Sequence, residues 1–218
     1  MSRLSLIRSA FLLLGLTTTA MGCHGRFKQH ADTLGSVHAQ TIVTGGPTVR
    51  VPSASTGSSF IDAVANVGVA VGAATTAGKI RGAVDLTELS GAMDASVADA
   101  IADGPPFAHA ARDASGGLMQ VDIRDFGVDA SRGVPDFRFN GVVKIYRAQD
   151  GWRVYRSRFR CSSRAGTYNA GGLIGIGQSA AGLIQLAEMS DSEIRQTFDR
   201  QAQACGQLVV GRMRRHAQ

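Results

Sequence analysis

The sequence predicts an α+β domain: an antiparallel sheet of three to four strands with helices packed on one face, including an amphipathic C-terminal helix. Three patterns point to it. Met119–Arg124 and Asp136–Ile145 alternate apolar with polar residues, as half-buried strands do. Gln149-Asp150-Gly151 is a hairpin signal with glycine at the left-handed position. Two capping-box signatures, at Asp85 and Ser190, each open a run with helical apolar spacing.

In chain order, Thr41-Ile42-Val43 and Thr48-Val49-Arg50-Val51 read as strand pieces. Gly45-Gly46-Pro47 interrupts them, and Pro52 with the Ser/Thr/Gly cluster at 53–59 ends them. Residues 60–78 fit two periods. Phe60, Ile61, Val64, Val67 and Val71 have helical spacing, whereas Val67, Val69 and Val71 alternate with Gly68, Ala70 and Gly72 as in a strand. The stretch carries no charge between Asp62 and Lys79. A small-residue helix packed closely on a neighbour is one meaning, and a Gly68/Gly72 helix contact of the membrane type is another.

The next helix is clearer. Asp85 caps it, Glu88 sits three residues on, and Val84 with Leu89 form a hydrophobic staple. Leu86, Leu89, Met93, Val97 and Ile101 mark an apolar stripe, which Asp103-Gly104-Pro105-Pro106 stops. In the sheet, Met119, Val121 and Ile123 share a face, as do Phe137, Phe139, Val143 and Ile145. A three-residue loop at Gln149–Gly151 sets Ala148 against Trp152, Ile145 against Tyr155, Gly141 against Phe159 and Phe139 against Cys161. Phe159 then covers the gap left by Gly141. In the last helix Ser190 caps, Glu193 closes the box, and Met189 and Ile194 form the staple. Ile194, Phe198, Ala202, Cys205, Val209 and Met213 line one face, and Arg212, Arg214 and Arg215 suit the helix C-terminus.

The N-terminus has the three parts of an export signal over residues 1–22. Arg3 and Arg8 give a positive start, Phe11-Leu12-Leu13-Leu14-Gly15-Leu16 a short apolar centre, and Thr17–Gly22 a small exit. The apolar run is shorter than the roughly 20 residues of a spanning helix. Ala20-Met21-Gly22-Cys23 resembles the lipobox of bacterial lipoproteins. That resemblance implies diacylglycerol on Cys23, cleavage before it, acylation of the new amine by a chain such as palmitate, and a lipid anchor in the membrane. His24 in place of Asp resembles the outer-membrane sorting signal; there, a domain facing the periplasm is expected over one on the cell surface. Residues 23–40 then read as a polar tether and 41–218 as one α+β domain with Gly-rich segments at 60–78 and 165–187.

The chain carries a net charge of +6. Removing Arg3 and Arg8 with the signal leaves +4, which permits anionic partners without demanding them. With Cys23 lipidated, Cys161 and Cys205 remain as a pair, and an oxidising envelope lets them form a disulfide. Both are expected to face inward, Cys161 at the end of a strand and Cys205 on the covering helix.

The stretch Arg153–Arg160 places Arg156, Arg158 and Arg160 outward, with Lys144 opposite Arg156 and Asn140 opposite Arg160. This is either a basic surface for lipid phosphates, glycan carboxylates or an acidic partner, or a solvated face partly neutralised by Asp122 and Asp136. Nucleic acid is not an expected partner in the envelope. Gly175, Gly177 and Ala180 match a dinucleotide pattern, but no βαβ unit surrounds them. Gly177-Gln178-Ser179-Ala180-Ala181 is a nucleophile elbow lacking its last glycine, and nothing links Ser179 to His109 or His216. The five histidines are scattered without zinc spacing. No catalytic residue, cofactor or metal is therefore expected.

The whole resembles small accessory lipoproteins of the bacterial envelope, which assist transporters, peptidoglycan synthesis or secretion assemblies. That implies a non-enzymatic scaffold or accessory role with an envelope protein partner. The alternatives are an oligomeric, membrane-inserted component with 60–78 and 165–187 in the bilayer, and an envelope hydrolase.

Overall fold

The computed structural model describes residues 27–30, 34–51, 59–104, 109–110, 116–131, 134–163 and 176–217. A helical turn at 27–30 precedes β1 (Ser36–Val43), β2 (Pro47–Arg50), α1 (Ser59–Ala83), α2 (Leu86–Ala102) and β3 (His109–Ala110). Then follow β4 (Gly117–Asp129), β5 (Asp136–Arg147), β6 (Arg153–Ser162), α3 (Ile176–Glu188) and α4 (Asp191–Ala217). The strands form one six-stranded sheet in the order β3-β1-β4-β5-β6, with β2 also on β4. The α+β class and the C-terminal helix are as expected, but the sheet is larger and mixed. β1 and β2 run parallel to β4, whereas β4, β5 and β6 are antiparallel. Alternation along a strand has the same period in either direction, so it could not reveal this.

β1 and β2 occupy one edge of β4 in succession, Val43 beside Ile123 and Pro47 beside Phe126. At that level β4 carries a bulge. Ile123 pairs with Gly141 and Asp125 with Asn140, leaving Arg124 as the extra residue. The bulge reverses the alternation. Met119, Val121 and Ile123 face the core before it, and Phe126 and Val128 after it, all at most 1% exposed. A regular strand would have turned Asp125 inward and Phe126 out.

The β5–β6 register is the expected one from Ile145–Tyr155 to Phe139–Cys161. The loop differs. Arg147 N donates to Trp152 O at 3.0 Å, so the loop is Ala148–Gly151, one residue longer than expected. Ala148 therefore does not pair with Trp152. Tyr146 pairs with Arg153, and an irregularity in β6 before Tyr155 restores the register. Asp150 holds the longer loop: its carboxylate accepts from Trp152 N at 3.0 Å and from the Arg147 guanidinium. Arg147 also stacks over the Trp152 ring at 4.9 Å. Gly151 takes the expected left-handed φ of 65°. A Cβ on Gly141 would lie 2.3 Å from Asp122 O and 2.5 Å from Phe159 Cζ, so Phe159 does fill the glycine gap.

The apolar face is covered chiefly by α2 and α4, which lie parallel. Near their starts Arg195 of α4 is 3.8 Å from Glu88 of α2. At their ends Arg214 donates to the carbonyls of Ala100 and Gly104, which satisfies acceptors the helix leaves open. Gly206 permits this approach, since a Cβ there would be 2.7 Å from Ser96 Oγ. Phe198 enters a ring cluster with Phe126, Phe137 and Phe139 at centroid distances of 5.6, 5.0 and 5.9 Å.

Both helix starts are capped. Asp85 accepts from Thr87 N at 2.7 Å and Glu88 N at 3.3 Å, bonds that hold its carboxyl below the usual range. Glu88 turns to Arg195 instead of closing the box. At α4 both halves form: Glu193 N donates to Ser190 Oγ at 3.2 Å and Ser190 N to Glu193 Oε2 at 2.7 Å. Leu86, expected in the α2 stripe, is 46% exposed, and Leu89, Met93, Val97 and Ile101 carry the buried face.

Residues 60–78 lie within α1, so the helical period prevails. α3 takes up the second half of the Gly-rich segment at 165–187. Among the described residues no helix is long and apolar enough to cross a membrane. The described parts of the 23–40 segment, expected as a polar tether, pack on the domain. Phe27 is fully buried against Tyr155, ring centroids 4.5 Å apart. Leu34 and Val37 are also buried, and β1 starts at Ser36. The signal at 1–22, Cys23 and residues 164–175 lie outside the described residues.

Candidate functional site

Strand β6 has two sides. Tyr155, Phe159 and Cys161 are buried, while Arg156, Arg158 and Arg160 are exposed on the other face. Across β5, Lys144 pairs with Arg156, Val142 with Arg158 and Asn140 with Arg160, as the sequence implies. Of the carboxylates expected to neutralise this face in part, Asp122 reaches Lys144, and neither it nor Asp136 reaches Arg156, Arg158 or Arg160. Asp122 takes Arg124 at 3.1 Å, Lys144 at 3.9 Å and the Thr44 hydroxyl at 2.9 Å. Asp125 takes Thr48, Asn140 and Arg50. Asp136 accepts from the Ser162 and Ser163 hydroxyls. Among the described residues, no carboxylate lies within 4.0 Å of Arg156, Arg158, Arg160 or Arg212.

Arg212 of α4 reaches round the β6 edge and donates to Arg158 O at 2.8 Å, occupying an acceptor the edge strand leaves open. With Arg124, Asn140, Val142, Arg158 and Arg160 it lines an open cavity of 470 Å³. Arg124 is partly neutralised by Asp122, so the cavity's charge is dominated by Arg158, Arg160 and Arg212. Guanidinium groups stay charged at any physiological pH and present planar forks of donors. They suit carboxylate or phosphate, which they bind in pairs of hydrogen bonds. They are poor proton carriers, so the arrangement favours binding over acid–base chemistry. Lys144 is turned toward Asp122 and, like Arg156, does not line the cavity.

Two residues before Asn140 on β5, Arg138 is 1% exposed, with Asp129 3.7 Å from Nη1 and Thr48 Oγ1 3.4 Å from Nη2, and it does not line the cavity. Burial and the nearby Arg50 lower its pKa.

Sequence reasoning missed Arg124 and Arg212. Arg124 is the bulge residue, and no local pattern announces a bulge. Arg212 was within reach. Cys161 and Cys205 form the expected disulfide, Cα–Cα 5.6 Å. Arg158 lies three strand residues before Cys161, about 10 Å. Arg212 lies seven helix residues after Cys205, also about 10 Å. A helix antiparallel to β6 brings them together. Of the other candidates, the 177–181 run is helical backbone within α3. His216 Nδ1 lies 2.7 Å from Tyr155 Oη, which places it at the β6 strand. Among the described residues no group of three His, Cys, Asp or Glu side chains is placed to hold a metal.

No family model and no curated protein matches the chain. Among solved structures, it is similar to a Xanthomonas campestris protein of the DUF330 family, at 16% identity and a TM-score of 0.38, over 58% of this chain and 62% of that one. It is also similar to "a putative lipoprotein from Caulobacter crescentus", at 11% identity and a TM-score of 0.35, over 89% and 96% of the two chains. At these identities and scores neither protein lends its function to this one.

Proposed function

We propose that this protein is a lipid-anchored, non-enzymatic accessory component of the bacterial envelope, which engages an anionic partner through the arginine face of β6. The anchor rests on Ala20-Met21-Gly22-Cys23 after an export signal, and His24 after the cysteine supports delivery to the outer membrane. The binding role rests on one observation: Arg158, Arg160 and Arg212 converge on one cavity with no carboxylate within 4.0 Å among the described residues. Exposed arginines in this state are stabilised by an incoming carboxylate or phosphate, and the attraction is screened by salt. An acidic envelope protein meets both requirements.

The test is titration of the full-length protein with a poly-glutamate peptide and with inorganic phosphate at low and high salt. Binding that weakens with salt and is lost in Arg158→Ala/Arg160→Ala, whose melting temperature stays at the wild-type value, supports the role. Equal binding by wild type and variant rejects it. Labelling with a fatty-acid analogue, present in wild type and absent from Cys23→Ala, tests the anchor separately.

A further inference from the structure

We propose that one end of the domain rests on the anchoring bilayer, with Trp152 in the headgroup layer and the arginine cavity held away from it. The end comprises the turn at 27–30, the Ala148–Trp152 loop and the last turn of α4. The proposal rests on lipidation at Cys23.

Distance carries it. Phe27 is 0% exposed and fixed on Tyr155, four residues after Cys23. Four residues reach at most about 14 Å when fully extended. A lipid on Cys23 therefore holds the bilayer surface no farther from Phe27 than that span plus the glyceryl linker, and the neighbours of Phe27 are the groups nearest to it.

Those neighbours suit an interface. The Trp152 ring is 5.6 Å from the His30 ring and is 42% exposed. Tryptophan is favoured where apolar chains meet water. Lys28, Arg153 and Arg215 are exposed at the same end. Arg215 is placed there by its neighbour His216, bonded to the Tyr155 hydroxyl. Basic side chains close to an anionic membrane surface are attracted to it. Among the described residues the acids near this end are Asp150, engaged by Arg147 and Trp152 N, the exposed Asp103, and Asp99 one helical turn before it.

β6 runs away from this end. Arg158 is six residues beyond Trp152, about 20 Å at the rise of a strand. Headgroup charge is screened over about 8 Å at physiological salt. The cavity is then out of reach of the anchoring lipids and open to a partner in the aqueous space.

Trp152 is the single tryptophan of the chain, so it reports its own position. The full-length lipidated protein is reconstituted into phosphatidylethanolamine–phosphatidylglycerol vesicles, with or without phospholipid brominated near the headgroup. The expected result is a blue shift of Trp152 emission relative to Cys23→Ala in buffer, with loss of most of that emission to bromine. A Trp152→Phe/Arg160→Trp reporter is expected to stay unquenched. Protein that carries lipid and floats with the vesicles, yet leaves Trp152 unquenched and open to acrylamide, overturns the orientation alone. Protein whose mass shows no lipid overturns the anchor, and the orientation with it.

Discussion

Removing the Cys161–Cys205 cross-link tests how much of the helix-on-sheet packing depends on it. The bond joins the end of β6 to the middle of α4 across 44 residues. Closing a loop of that length removes enough unfolded-state entropy to stabilise the native state by about 4 kcal/mol. For a protein of this size each kcal/mol shifts the midpoint by about 2–4 °C, so Tm is expected to fall by about 8–16 °C. The assay is thermal and urea denaturation of oxidised wild type, reduced wild type and Cys161→Ala/Cys205→Ala. The alanine pair also deletes two buried sulfurs, adding up to about 1 kcal/mol of lost packing. Reduced wild type keeps the sulfurs, so the difference between the two isolates that part. The urea m-value is expected to rise without the cross-link, because the unfolded chain exposes more surface. Equal midpoints for oxidised and reduced protein would refute the reasoning, as would alkylation of both thiols in unreduced, denatured protein.

Gly141→Ala is expected to destabilise by about 1–3 kcal/mol, because its Cβ meets the Asp122 carbonyl and the Phe159 ring; urea denaturation reads this directly. Asp94 lies against Thr41, with one carboxylate oxygen buried and without a partner. Burial raises its pKa above the usual 3.8, so the charged form is disfavoured in the folded state and that penalty is present at neutral pH. Asp94→Asn is expected to gain up to about 1 kcal/mol near pH 7. The gain should shrink as pH falls through the raised folded pKa toward 3.8, where wild type is itself protonated. A gain that stays constant across that range in urea titrations would contradict the assignment.

Much of the fold was legible because it is written locally. Caps at Asp85 and Ser190, the stripe on α4 and the β5–β6 register each depend on residues a few positions apart. The facing positions of Cys161 and Cys205 followed from that register and that stripe. What escaped depends on partners distant in sequence. Nothing in Thr41–Val43 says that the strand pairs parallel with Val121–Ile123, or that it begins as early as Ser36. The bulge at Arg124 is visible only once both neighbours of β4 are known, and it hid Phe126–Asp129 as strand. Of the candidate site, Arg158 and Arg160 could be read from alternation alone. That no carboxylate pairs with them among the described residues could not, because it depends on Asp122 and Asp136 turning to Arg124, Lys144, Ser162 and Ser163.

The parallel seat of β1 and β2 also orders assembly in time. Thr44 meets Asp122 across 78 residues of chain, whereas β4, β5 and β6 follow one another as a simple meander. A polypeptide that emerges N-terminus first delivers its earliest strand long before the template for it exists. Contacts of such separation form slowly, because a long loop must close before they are rewarded. The meander is expected to gather first and the leading strand to be recruited afterwards. In the interval β1 is an unpaired β-segment in need of shielding.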